Sequence, residues 1–573
     1  MIKQSLILMR LSAPSCLLLV LLSAPGTVQA QQRTVGLMHN MPGAFEGYTL
    51  IAPMLHPSVY LVDLEGRAVH RWQVNSVFGA TNRLLPDGAL LRASASPKSW
   101  TNVQGLAGRV EIIEWDGTIR WQYDFVNDEY MLHHDVVPLP NGNILAIVWD
   151  VRDMDEILAA GYNPENLADD QNTILSERIV EFKPILPDSA EIVWQWDVWD
   201  HLAQDHAPLL DTYVENISDH PQRIDVNTSV GGDWLHFNAL DYNEDLDIIA
   251  ISASFVDEIW IIDHSTSAEE ARGATGGTFG WGGRLLYRWG NPQMYGLGTE
   301  SDQTLHFLHS VLWIPDGLPG AGNLMVFENG VGQPEGEYST VHELKLPYME
   351  EIYGNAVWFA QGVDGTYDDP ESIWSFSAPN EFFSNIVSGQ QRLPNGNTLI
   401  AEGMTGRIFE LEEGSDALVW EYVNPVVQTG PLSQGDVIPV FGPPGSLRLQ
   451  NAVYRALRYG ANFEGFDGRD LTPIGAIELN VAGSTPGSPF TLLPNYPNPF
   501  GGSTTIDIQV DNPTNVEITV FNMLGQEVAV LVDEFHAPGA YSYVFDAAAL
   551  PRGHYLCRLI SGGSSATITL THQ

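Results

Sequence analysis

One arrangement of short apolar runs recurs along this chain and fixes what it can become. Six segments pass through apolar residues and close on tryptophan: GRAVHRW (Trp72), GTIRW (Trp121), AEIVW (Trp194), LLYRW (Trp289), NAVW (Trp358) and ALVW (Trp420). Before most of them lies a strand-like run with an acidic residue: VEIIEWDG, IVEFKP, IWIIDH, VHELKL and IFELEEG. Earlier still comes a turn signature leading into an apolar run: LPDGALL, LPNGNILAI, IPDGLPGAGNLMVF and LPNGNTLIAEG. Asp-Gly and Asn-Gly tolerate the positive φ that tight hairpins need. The unit is therefore strand, turn, strand, strand, and a strand ending in Trp. One four-stranded antiparallel sheet cannot bury both of its faces; six stacked about an axis can, leaving only short edges. The pattern predicts an all-β chain whose main part is a six-bladed β-propeller. A β-sandwich or a string of small β domains competes with it, and the repeated order of elements argues against both. The first unit lacks an innermost strand, which either the segment before GYTLIAP or the later SLRLQNAVYRALRYG would complete.

The repeat also gives the histidines a common phase. Counting back seven residues from each turn Asn or Asp leads from Asn141 to His134, from Asn243 to His236 and from Asp316 to His309. The same count reaches Ser388 from Asn395 and Ala80 from Asp87. Three histidines at one phase, with 16 in the whole chain, is poor material for coincidence. The turn ends the first strand of each unit, so a residue seven earlier lies near that strand's other end. First strands are innermost in a propeller, so His134, His236 and His309 should ring one mouth of the channel. His133 and His306 are out of phase and are expected to support their neighbours.

Composition narrows the partners. Lys and Arg number 26 against 71 Asp and Glu, a net charge of −45, which argues against nucleic acid and anionic membranes. The acidity reads as a solvated, self-repelling surface. Residues 1–30 combine Lys3 and Arg10 with the apolar run LLLVLLSA and a small-residue site ending at Ala30, as a cleaved signal peptide does. Cleavage leaves Cys557 alone, without a partner for a disulfide. No other stretch approaches transmembrane length.

A three-histidine mouth allows a zinc site with an open position, nucleophilic catalysis by an imidazole, or ligand binding without chemistry. The acidic turn DYNEDLD lacks the glycine and closing glutamate of a calcium loop. Geometry alone leaves these open. The segments GYTLIAP…YLVDLEGRAVHRW, HHDVVPLPNGNILAI, DWLHFNALDYNEDLDIIAIS, YRWGNP, LHSVLWIPDGLPGAGNLMVFENG and SGQQRLPNGNTLIAEGMTGRIFELE, in this order over about residues 34–480, resemble the arylsulfotransferase family. The resemblance implies a six-bladed propeller without a cofactor. It implies a sulfuryl group passed from an aryl sulfate to a phenol by way of a sulfated histidine. It places the nucleophile at His309, the HxN pair at His236 and Asn238, and a supporting histidine at His134. Two positions depart from the family: Ser254 stands where an arginine is usual, and Leu308 replaces a glutamine. Arg392, Arg288 and Arg83 are candidates to supply the missing guanidinium, with Ser388 a further candidate at the mouth. A propeller that binds an aromatic or anionic ligand without turnover is the competing reading, and a metal-dependent hydrolase a third.

A small-residue linker at 481–489 precedes a last segment, 490–573, of alternating strands and turns that predicts a β-sandwich. NYPNPF, FNMLGQEV and GHYLCRL resemble the C-terminal sorting domain read by the type IX secretion system. That resemblance implies a Gram-negative host and export through the periplasm and outer membrane, to the medium or the cell surface. The propeller is expected over 31–480.

Overall fold

A computed structural model of the chain describes residues 34–477 and 490–572, apart from 78, 101–104, 106, 167–171, 229–231, 351–356, 360–364, 434, 442–447, 493–494, 496–499, 511–512, 523–526 and 562–563. The expected signal peptide at 1–30 and linker at 481–489 lie outside the described residues.

Six antiparallel sheets follow one another along the chain. The second runs Gly79–Leu84, Leu90–Ala95, Gly108–Ile113, Ile119–Asp124, and the third runs Tyr130–Pro138, Ile144–Asp153, Thr173–Ile185, Ser189–Asp197. The fourth begins with Phe237–Asn243, the fifth with Leu308–Trp313 and the sixth with Gly389–Arg392. The first sheet takes its innermost strand from far downstream: Val453–Gly460 pairs with Gly47–Pro53. The later of the two segments considered for this place therefore supplies it. The N-terminal strand Gly36–Asn40 adds to the outer edge of the sixth sheet, against Leu418–Val423. Each innermost strand lies beside those of the preceding and following sheets, and the series closes from the sixth back to the first. The sheets therefore form a β-propeller.

The recurring tryptophan has a structural reason. In each sheet the outer strand presents an indole that donates a hydrogen bond to the sheet that follows. Trp72 Nε1 donates to the Glu114 carbonyl (3.1 Å), Trp121 to that of Ser189 (2.7 Å), and Trp194 to Thr266 Oγ1 (3.2 Å). Trp289 donates to Asp369 Oδ1 (2.8 Å), Trp374 to Asp416 Oδ1 (2.9 Å), and Trp420 to the Leu64 carbonyl (3.0 Å), which returns the series to the first sheet. Trp72, Trp121 and Trp420 are completely buried, and emptying such a site costs roughly 3–5 kcal/mol. The fifth member is Trp374 and not Trp358. Trp358 falls in a separate hairpin of Tyr348–Glu350 and Val357–Phe359. The outer strand is Glu371–Ser377, with Trp374 opposite Glu343. An apolar run closing on Trp does not distinguish these two segments; the hydrogen bond to the next sheet does.

Acidic residues on the third strands of four sheets hold buried cations. Glu111 pairs with Arg92 (3.2 Å), Glu258 with Arg288, Glu343 with Arg392, and Glu410 with Arg458. The last two pairs join neighbouring sheets. Removing one partner of such a pair leaves an uncompensated buried charge.

Residues 490–572 form two further sheets, of three and four strands. Phe490, Ile506, Ile508 and Phe545 of one meet Val516, Ile518, Val520, Leu559 and Leu570 of the other in a shared core. Cys557 belongs to that core, and burial pushes its thiol up to about 12, which leaves it inert.

Candidate active site

His236 and His309 stand at the starts of the innermost strands of the fourth and fifth sheets, and His134 in the middle of that of the third, all away from the turns that end those strands. The His134 and His236 rings meet edge to face with centroids 4.7 Å apart. His134 and His236 both adopt left-handed backbone, at φ 50° and 51°, a conformation that costs a branched or aromatic residue energy and gathers at functional sites. His309 reaches the mouth without a left-handed backbone. It is the residue skipped by the ladder between Leu308 and Ser310, as Asn238 is between Phe237 and Ala239. The left-handed residue of the fifth sheet is Phe307, at φ 57°. The common count of seven therefore joins two backbone positions. Asn243 lies inside its ladder, whereas in the fifth sheet the ladder ends at Trp313, before Asp316.

Each imidazole is aimed by a partner on its Nδ1. Asn329 donates from Nδ2 to the carbonyls of Ser384 (2.6 Å) and Val387 (3.1 Å). Its Oδ1 therefore faces His309 Nδ1 at 2.8 Å and accepts the proton there. The lone pair of His309 is left on Nε2. His236 Nδ1 donates to Asp233 Oδ2 (2.6 Å). His134 Nδ1 lies 2.7 Å from His133 Nδ1, and His133 Nε2 lies 2.9 Å from Glu177 Oε2. The three Nε2 atoms have no hydrogen-bond partner among the described residues, and the residues keep 3–4% of their surface exposed.

Burial favours the neutral form of His309, His134 and His133. It is the largest cause of the lowering at His309, to about 3, with the charges of His236 and Arg455 adding to it against the Asn329 bond. Burial also lowers His134, helped by His236, His133, His309 and Arg455, and lowers His133, helped by His236. Aromatic rings line the same place. Phe255 stacks on His236 at 4.4 Å and 8°, Phe307 lies 5.4 Å from His309, and Tyr454 lies 6.3 Å from His134. Phe255 is 42% exposed, so an apolar face is available to an incoming ring.

The remaining expected residues take supporting places. Both ends of the Asn238 amide are engaged: Nδ2 donates to the Leu308 carbonyl and Oδ1 accepts from Ser252. It shapes the backbone before His309. Ser254 donates to the same Leu308 carbonyl (2.8 Å). Ser388 Oγ accepts from the Gly403 amide (2.9 Å). His306 lies outside the cluster, 3.3 Å from Glu328 Oε1, and that bond raises its pKa. Arg392 and Arg288 do not reach the mouth, because Glu343 and the Gly396 carbonyl hold the first and Glu258 the second. Arg83 comes no nearer than 4.0 Å to Asp135. The guanidinium beside the histidines belongs to Arg455. It binds Asp135 Oδ2 (2.5 Å), the His309 carbonyl (2.9 Å) and the Asn238 carbonyl (3.2 Å). Carrying the inner-strand phase onto VYRALRYG finds Arg455; Asn329, just past a second strand, and Glu177, on a third, give no such signal. Among the described residues no group of three His, Cys, Asp or Glu is placed to hold a metal ion.

Fold and site together define a β-propeller with oriented imidazoles gathered on its innermost strands. The chain belongs to the arylsulfotransferase (ASST) family, whose model matches residues 46–424, and this membership supports a sulfotransferase-like function. The model of the secretion system C-terminal sorting domain matches residues 495–571. That domain marks the protein for type IX export, to the medium or the cell surface. Among the described residues no helix is long and apolar enough to cross a membrane. No curated protein matches the chain. Solved structures similar to it include a protein of unknown function from Bacteroides caccae, 10% identical over 72% of this chain and 98% of that one, with a TM-score of 0.37. A catalytically inactive virginiamycin B lyase from Staphylococcus aureus is 9% identical over 70% and 91%, with a TM-score of 0.31. The periplasmic gluconolactonase of Pseudomonas aeruginosa is 11% identical over 64% and 77%, with a TM-score of 0.29.

Proposed function

We propose that this exported protein moves a sulfuryl group from an aryl sulfate to a phenol through a sulfo-histidine on His309. The observation that carries this reading is the orientation of His309. Asn329 holds the proton on Nδ1, so a neutral Nε2 lone pair stands in the mouth beside two further imidazoles. Nε2 attacks sulfur as the bond from sulfur to the aryl oxygen breaks. An imidazole N–H of the His134 and His236 pair gives its proton to the departing oxygen. An incoming phenol then returns a proton to that imidazole as its oxygen takes the sulfuryl group from His309. The phenol ring has Phe255 and Phe307 to pack against. By this reading residues 1–30 are the signal peptide, 31–480 the catalytic propeller and 490–573 the sorting domain.

The test is release of nitrophenol from nitrophenyl sulfate, with and without added phenol, by the protein and by His309→Ala. Release stimulated by phenol, lost on the order of 10³-fold or more in the variant, with an acid-labile sulfo group trapped on His309, supports transfer. Release that persists in the variant overturns the assignment of the nucleophile. One observation favours a propeller that binds without turnover: Ser254, at the family's arginine position, is spent on the Leu308 carbonyl. That reading predicts binding of the aryl sulfate with no release from any donor.

A further inference from the structure

The sulfuryl-transfer reading needs a proton to leave the site and return, and the structure carries a buried path for it. Glu177 is fully buried on the third strand of the third sheet, and among the described residues no lysine or arginine pairs with it. Its Oε1 accepts from Trp149 Nε1 (3.2 Å) and from the Phe237 amide (2.8 Å). Among the described residues Oε2 faces His133 Nε2 alone. His133 is clamped by Trp149, whose ring stacks on it at 3.7 Å and 5°, and its other nitrogen faces His134 Nδ1. Carboxyl, imidazole and imidazole thus form one line that ends at the open Nε2 of His134. His236 and His309 each have Nδ1 bound to an acceptor. Only His134 faces a nitrogen that can either give or take a proton.

We infer that Glu177 stores the proton of the reaction and exchanges it with His134 through His133. This rests on the sulfuryl-transfer reading. At the start Glu177 is a carboxylic acid, His133 carries its proton on Nδ1 and His134 on Nε2. When His134 gives the Nε2 proton to the departing aryl oxygen, His133 passes its Nδ1 proton to His134 Nδ1. Glu177 in turn passes its Oε2 proton to His133 Nε2. The aryl sulfate's negative charge has then moved to the Glu177 carboxylate, while the sulfated imidazolium of His309 is neutral overall. The incoming phenol reverses every transfer, so the site neither takes a proton from solvent nor gives one up between the two halves. Burial, and next the charge of Asp233, raise Glu177 well above the ordinary carboxylate range, which suits the acid form at the start. Glu177 and His133 are positioning residues; neither touches the substrate.

The test compares donors whose phenols are good and poor leaving groups. Glu177→Gln preserves every hydrogen bond of the acid form but cannot release a proton. Its turnover should fall about 100-fold more for phenyl sulfate than for nitrophenyl sulfate. His133→Phe, which keeps the stack on Trp149, should show the same skew, and the double variant no greater skew than either single one. Equal losses for both donors, or skews that multiply in the double variant, overturn the relay. If the unaltered protein releases no phenol from any donor, the transfer reading fails, and the path is still tested by ¹⁵N-histidine spectra. Glu177→Gln should shift the His133 and His134 ring nitrogens together and leave His306 unmoved. A shift confined to His133 overturns the path.

Discussion

At the residue scale, the chemistry depends on which nitrogen carries a proton and on how deeply it is buried. The Asn329 amide decides this for His309, because its own orientation is fixed by two backbone carbonyls. Asn329→Leu should leave KM near its original value and lower kcat by about 100-fold, as measured by steady-state transfer from nitrophenyl sulfate. His309 titrates at about 3, so it stays unprotonated above that value. The acid limb of kcat/KM should therefore run on well below pH 6.5, where an exposed histidine would already be lost; an acid limb near 6.5 would show that another group governs it. The phase of the repeat leads to His134, His236 and His309 because the innermost strand recurs in every unit. It does not lead to Asn329 or Asp233, which aim two of those rings, or to Glu177, which holds His133, all from positions without a repeat. Ser254 and Asn238 are legible as positions, but their use on the Leu308 carbonyl becomes visible only when two sheets stand side by side.

At the scale of elements, the strand Val453–Gly460 has two duties. It completes the first sheet, and it delivers Arg455 beneath the histidines, against Asp135. Arg455→Met strips the buried Asp135 of its closest cation and should destabilise the propeller by about 3–5 kcal/mol, read from denaturant midpoints. Such a loss is absent if Arg83, at 4.0 Å, takes over. The tryptophan belt makes a second claim. Trp420→Phe removes the hydrogen bond that closes the ring onto Leu64, along with part of a buried indole, and should cost about 1–3 kcal/mol. Strand order was legible because turn residues and alternation repeat. The fifth outer strand was not, because NAVW and ESIW read alike while their partners lie elsewhere in the chain.

At the scale of the molecule, stability responds to pH through contacts between sheets. His264 joins Glu181 of the third sheet (3.1 Å) to Asp247 of the fourth (2.7 Å). Burial opposes its charge, yet the two carboxylates outweigh it and raise His264 to about 9. A folded-state pKa above the ordinary 6.5 stabilises the charged form. The contribution is full below pH 6.5 and is lost as pH rises through 9. His264→Gln should therefore lower Tm at pH 6, by an amount equivalent to about 1–2 kcal/mol after allowing for the exposed Asp247, and should make little difference at pH 10.

The downstream origin of the first sheet's inner strand also sets an order in time. Synthesis and export deliver the chain from its N-terminus, so His134, His236 and His309 all emerge before Val453. Until that strand arrives the ring is open and the backbone of His309 lacks its guanidinium. The site proposed for transfer is thus incomplete for most of the chain's own making, and one of the last segments ahead of the sorting domain completes it.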